Sequence, residues 1–172
     1  MSATQADGSR IGRRDLAVLR LLYDTGMRRA SVASLRRANV VEREGRIIVI
    51  YYGKGNKRHE GTLPEATAVA LQHWMAFAAD SPWVFPQDRD WTKHIALSTI
   101  NLIVRYRSGG VVHPHQFRAA FITEALDALP LHEVQAAVGH ADPRMTLRYD
   151  RRQRGGGVAD AVAKSRTKVE EE

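Results

Sequence analysis

Residues 39–64 read NVVEREGRIIVIYYGKGNKRHEGTLP, and here the hydrophobic period drops from that of a helix to that of a strand. Residues 40–41, residues 47–52 and the segment near Thr62 and Leu63 form three short apolar runs. EREG and GKGNK between them are turn sequences, rich in glycine and in polar residues that tolerate tight bends. Three strands joined by two short turns can only pair antiparallel. A small three-stranded antiparallel sheet is therefore expected.

Helical periodicity flanks this segment on both sides. RRDLAVLRLLYDTG places Leu16, Leu19 and Tyr23 on one stripe, widened by Val18, Leu21 and Leu22, with Gly26 as the stop. RRASVASLRRA reads as a short basic helix, and EATAVALQHWMAFAA as an amphipathic one that starts just after Pro64. SPWVFPQDRDWTKH is expected to be a loop. LSTINLIVRYR, HPHQFRAAFITEALDAL, LHEVQAAVGH and DPRMTLRYDRR read as four further helices. The fold class that follows is α+β, mainly helical, with one small antiparallel sheet.

Composition narrows the function. Hydrophobic residues make up 44% of the 172, enough for a real core, and the formal net charge is +7. That excess favours a polyanionic partner, nucleic acid ahead of a membrane surface. With no cysteine, disulfides, thiolate zinc sites and cysteine nucleophiles are excluded. No apolar run approaches the roughly 20 residues needed to cross a bilayer. The opening MSATQADGSR is polar and does not read as a signal peptide, so a cytoplasmic location is expected.

Five pieces carry residues capable of chemistry: TGMRR with Arg28, GKGNKR with Lys54, HPHQFR with His115 and Arg118, GH with His140, and RYD with Tyr149. Taken singly, each has an ordinary reading. GKGNK suits a solvated hairpin tip, and it is not a phosphate loop of the Walker kind, because no Ser or Thr follows the lysine and no helix opens there. His115 and Arg118 share a helix face and suit a surface pair. Tyr149 suits a half-buried packing position. His113 and His115 have no carboxylate or thiolate nearby in sequence, so no metal and no cofactor is expected.

Their order and spacing resemble the tyrosine recombinases, the phage integrase family. LLYDTGMRRASVASLRRANV is similar to the family's first motif and puts its arginine at Arg28. YYGKGNKRHEGTLP is similar to the β-hairpin whose lysine falls on Lys54. HPHQFRAAFITEAL matches the His-x-x-Arg helix at His115 and Arg118, and VGHADPRMTLRYD the third-histidine and nucleophile box at His140 and Tyr149. Two positions depart from the pattern: Ala119 stands where histidine is frequent, and Ser31 near where an acidic residue is common.

The resemblance implies a DNA strand-breaking and rejoining enzyme. Tyr149 would be the nucleophile and His115 its general base. Arg28 and Arg118 would hold the non-bridging phosphate oxygens, His140 would hydrogen-bond one of them, and Lys54 would protonate the leaving 5′-oxygen. The implied partner is double-stranded DNA, with four copies assembled on it and no membrane. The implied organisation is a disordered lead over 1–11, the catalytic domain over 12–154, and a hinge and tail over 155–172 that could pack on a neighbouring subunit. The helical DNA-clamping domain usual upstream in the family would be missing. Three alternatives stand beside this: a type IB topoisomerase, a non-cleaving DNA-binding or assembly-modulating module, and a helix-turn-helix regulator that would leave Lys54 unexplained.

Overall fold

The computed structural model describes residues 8–140 and 142–150, apart from the side chain of Lys54. Of the lead expected over 1–11, residues 1–7 lie outside the described residues, and Arg10 and Ile11 are already helical, contrary to the expectation; the hinge and tail expected over 155–172 lie outside the described residues.

Helix α1 (Arg10–Thr25) runs through the middle of the molecule. It starts where the Ser9 hydroxyl accepts from the Gly12 N–H at 3.0 Å, satisfying one of the free donors of the first turn. Ala17, Val18, Leu21 and Leu22 are fully buried on it. It stops at Gly26, whose φ of 60° is open to glycine at little cost. Helices α3 (Glu65–Phe77) and α5 (Pro114–Ala128) pack along it. The main core gathers Leu21, Leu22, Trp74, Phe85, Ile100, Val104 and Phe117. A second, smaller cluster, Ile122, Leu126, Val134 and Val138, joins α5 to α6 (Leu131–Val138), and Tyr149 packs against it.

Strands β1 (Val40–Arg43), β2 (Arg46–Tyr52) and β3 (Arg58–Thr62) form the expected sheet, antiparallel and in chain order. The first turn is a two-residue connection through Glu44 and Gly45, both at positive φ (51° and 71°), the geometry that matches strand twist. The second is a 3₁₀ turn over Lys54–Asn56, closed by a 2.8 Å bond from the Gly53 N–H to the Lys57 carbonyl. Register sets Val49 opposite Gly61 and Tyr51 opposite His59, so these four share the face turned to the core.

Further expectations need correction, among them the helix read from DPRMTLRYDRR, of which only Pro143–Leu147 is helical among the described residues. The short basic helix is only α2 (Arg29–Ala33), followed by a separate 3₁₀ turn at Arg37–Asn39. The expected loop at 81–94 instead contains a hairpin, β4 (Pro86–Gln87) and β5 (Asp90–His94). Side chains hold this hairpin, not an alternating pattern. The Ser81 hydroxyl and Trp83 indole donate to the carbonyls of Trp91 and Thr92, at 2.8 and 2.9 Å. The Asp90 carboxylate binds Lys93 and Thr92, which hold its pKa down at about 2.

Helix α4 (Leu97–Arg107) has the expected bounds and is locked at its end. Arg107 donates to Asp15 at 2.9 Å, Arg14 holds the same carboxylate at 3.0 Å, and Arg14 reaches Asp88 at 3.1 Å. Asp15 is buried, so this network ties α1, α4 and the β4–β5 turn together. No described helix is long and apolar enough to cross a membrane.

Gly26 is the tightest point of the frame. A Cβ there would sit 2.4 Å from Cδ1 of Phe121, besides being forced to positive φ. Gly26→Ala is expected to cost about 2–3 kcal/mol, from the left-handed penalty plus overpacking. Chemical denaturation should read this as a lower midpoint with an unchanged slope.

Candidate active site

Each expected residue is delivered by the end of an element. Arg28 caps the start of α2, two residues past the Gly26 turn. Pro114 opens α5, which puts His115 in its first turn and Arg118 in its second. The Gln116 side chain accepts from the His113 N–H at 2.7 Å and fixes that entry. His140 follows Gly139, which ends α6 at φ 64°. Helix α7 (Pro143–Leu147) starts at Asp142, whose carboxylate accepts from the Arg144 N–H at 2.9 Å. Tyr149 lies just past its end.

Five of the six meet. Arg28, His115, Arg118, His140 and Tyr149 line one cleft of about 1000 Å³, together with Arg29, Asn101, Arg105 and Arg148. No carboxylate is among the described lining residues, which include five arginines. The Tyr149 phenol oxygen stands 3.4 Å from Nε2 of His115, a long, exposed contact. The Tyr149 and His140 rings lie nearly parallel, 6.5 Å apart. For Lys54 the backbone is placed on the β2–β3 turn, and its side chain lies outside the described residues. Its neighbour Gly53 abuts the site: a Cβ there would be 3.5 Å from a guanidinium nitrogen of Arg28. Ser31 has taken a structural task, its hydroxyl donating to the Tyr52 carbonyl at 3.0 Å beside that turn.

Arg118 does more than the sequence suggests. It is only 5% exposed. Its guanidinium donates to the carbonyls of Gly26 and Val138, each at 2.5 Å. Those carbonyls lie two residues before Arg28 and two before His140, so one side chain pins both loops. Five N–H donors less these two leaves three for an anion. Burial, then the charge of Arg28, lowers its pKa to about 10, which leaves it cationic at neutral pH.

His59, which sequence reading passed over, packs behind the cleft. It stacks on Tyr51 at 5.4 Å between ring centres and fills the space beside Gly53 and Gly139. A Cβ on Gly139 would stand 2.5 Å from its ring. Burial, then Arg28 and Arg118, lower its pKa. Counting by twos back from Gly61, opposite buried Val49, puts His59 on the inner face. Once hairpin register is assigned, that signal is available. Among the described residues, no group of three His, Asp or Glu is placed to hold a metal.

Burial, then Arg118, Arg28 and His115, push His140 down to about pKa 4. It is therefore neutral at pH 7. An unfolded histidine protonates near pH 6.5, so this group's contribution to stability is intact above that value and is lost as pH falls toward 4. A histidine NMR titration should show no His140 inflection between pH 5 and 8. An inflection near 6.5 would contradict the electrostatics described.

Comparison with known proteins identifies the family and the fold. The profile of the phage integrase family matches residues 1–154. The chain is 32% identical over 150 residues to tyrosine recombinase XerD of Rhizobium meliloti (strain 1021), covering 77% of this chain and 45% of that protein. It is 32% identical over 149 residues to tyrosine recombinase XerC of Pseudomonas aeruginosa (strain LESB58), covering 81% and 48%. The chain thus spans about half the length of these relatives. The crystal structure of XerA recombinase superposes with a TM-score of 0.70 at 24% identity, covering 91% of this chain and 56% of that one. That of XerH site-specific recombinase bound to its difH substrate, a pre-cleavage complex, gives 0.70 at 18% identity, covering 83% and 44%. A profile match over nearly the whole chain, on a fold shared with solved recombinases, makes this chain a member of the phage integrase family.

Proposed function

We propose that this chain is the catalytic domain of a site-specific DNA recombinase that breaks and rejoins strands through a 3′-phosphotyrosine. One observation carries the reading: a phenol and an imidazole 3.4 Å apart face Arg28, Arg118 and His140 in a cleft without a described carboxylate. The relatives are named tyrosine recombinases, which supports it.

The chemistry follows from charge. A phosphodiester is an anion and repels a nucleophile. Arg28 and Arg118 offer planar donors to its non-bridging oxygens, and their hold strengthens as charge builds in the transition state. Tyr149 attacks phosphorus while its proton passes to His115, because a free phenol near pKa 10 is scarcely ionised at pH 7. The bond from phosphorus to the 5′-oxygen breaks, and Lys54 supplies the proton that makes this oxygen a leaving group. The product is a tyrosyl 3′-phosphodiester and a free 5′-hydroxyl. Attack by a 5′-hydroxyl of another strand reverses each transfer, so no high-energy cofactor is consumed. His140 donates to a phosphoryl oxygen, and this bond strengthens as charge builds in the transition state. Assembly of four copies on DNA, in the cytoplasm, belongs to the same proposal.

The test uses a randomised pool of nicked duplexes whose short cleaved strand is lost by diffusion, trapping the covalent link. Wild-type protein should give a denaturant-resistant adduct that Tyr149→Phe abolishes. Arg28→Ala or Arg118→Ala should slow it about 10²–10³-fold, the scale for losing one transition-state donor. DNA retained in low salt with no adduct would instead mark a non-cleaving binding module. Affinity should fall with salt at a log–log slope of about −4 to −5, if each of five cleft arginines meets a phosphate. A slope near zero would remove DNA as the partner.

A further inference from the structure

Thr146 is wholly buried on α7, three residues before Tyr149. Its hydroxyl oxygen lies 2.9 Å from Nδ1 of His140. A neutral imidazole carries one N–H and one bare nitrogen, and the partner of one decides the role of the other. The Thr146–His140 bond therefore has two forms with opposite consequences for the cleft.

In the first form Nδ1 carries the proton and donates to the hydroxyl. The hydroxyl's own proton then needs another acceptor in a buried place. Thr123 shows what a helix can offer: its hydroxyl donates to the Ala119 carbonyl one turn back, at 2.9 Å. Thr146, on a helix of five residues, makes no such bond. Among the described residues His140 is its one side-chain hydrogen-bond partner. In the second form the hydroxyl donates to Nδ1, and both buried groups are satisfied with one bond. Nε2 then bears the proton and is free for the cleft that His140 lines.

We infer that Thr146 is a positioning residue that holds His140 as the Nε2–H tautomer, so that the imidazole donates to the anion in the cleft. The opposite tautomer would turn a lone pair on a phosphoryl oxygen and repel it. The choice matters because His140 is neutral at working pH and has only one proton to place. Thr146 rides on the segment that carries Tyr149. The nucleophile and this donor are therefore made ready by the same docking of α7. The inference rests on the reading of the cleft as a phosphodiester site.

The test begins without DNA. Long-range proton–nitrogen correlation on the nitrogen-15-labelled 172-residue chain at pH 7 should show His140 protonated at Nε2 and bare at Nδ1. Thr146→Val keeps the shape and deletes the hydroxyl. It should mix the tautomers and slow adduct formation about 10–100-fold, the scale for partners that orient a working imidazole. Half-saturation with the nicked duplex pool should stay unchanged. Thr146→Ser should restore both readouts. A wild-type His140 protonated at Nδ1 overturns the inference, as does a Val variant that forms adduct at the wild-type rate. Failure of the wild type to form any adduct would sink the strand-breaking reading, and the imidazole spectrum would still decide the tautomer.

Discussion

The site depends on one buried guanidinium. Arg118 spends two N–H groups on the carbonyls of Gly26 and Val138, and through them fixes the loops that present Arg28 and His140. A buried cation is tolerable because polar oxygens replace its lost water. The planar fork makes Lys a poor substitute, since an ammonium cannot span two carbonyls and still present donors to a third group. Frame and chemistry therefore meet in the same side chain.

That arrangement leaves unbalanced charge. Arg28 and Arg118 depress each other's neighbours: the pKa values of His59 and His140 both fall, after burial, from their proximity. The described lining supplies no carboxylate to relieve this. A cleft lined in this way favours an anionic ligand, as the proposed phosphodiester would be. Away from the cleft, Asp15 is held between Arg14 and Arg107, and Gly26 lies close against Phe121.

Much of this was legible in the sequence because local patterns set it. The sheet followed from the change of period at residues 40–63 and from two turn sequences, and α4 from an uninterrupted 3.6-residue stripe. The β4–β5 hairpin was not legible. Bonds from Ser81, Trp83 and Asp90 hold it, and these have no periodic signature. In the same way, motif order picked out six residues of which five line one cleft, whereas the packing of His59 was missed because it arises from a cross-strand neighbour and two glycines remote in sequence. The second task of Arg118 was invisible too, since backbone carbonyls leave no mark in a residue string.

Strand chemistry in this cleft requires that cations from distant segments act together on a single bound anion. Titration of the labelled protein with orthovanadate, followed through arginine side-chain and histidine ring resonances, tests it most directly. Arg28, Arg118 and His140 should shift together along one saturating curve, and Arg118→Met should abolish that curve while the chain stays folded. Shifts scattered over unrelated arginines, or a curve that survives Arg118→Met, would contradict it.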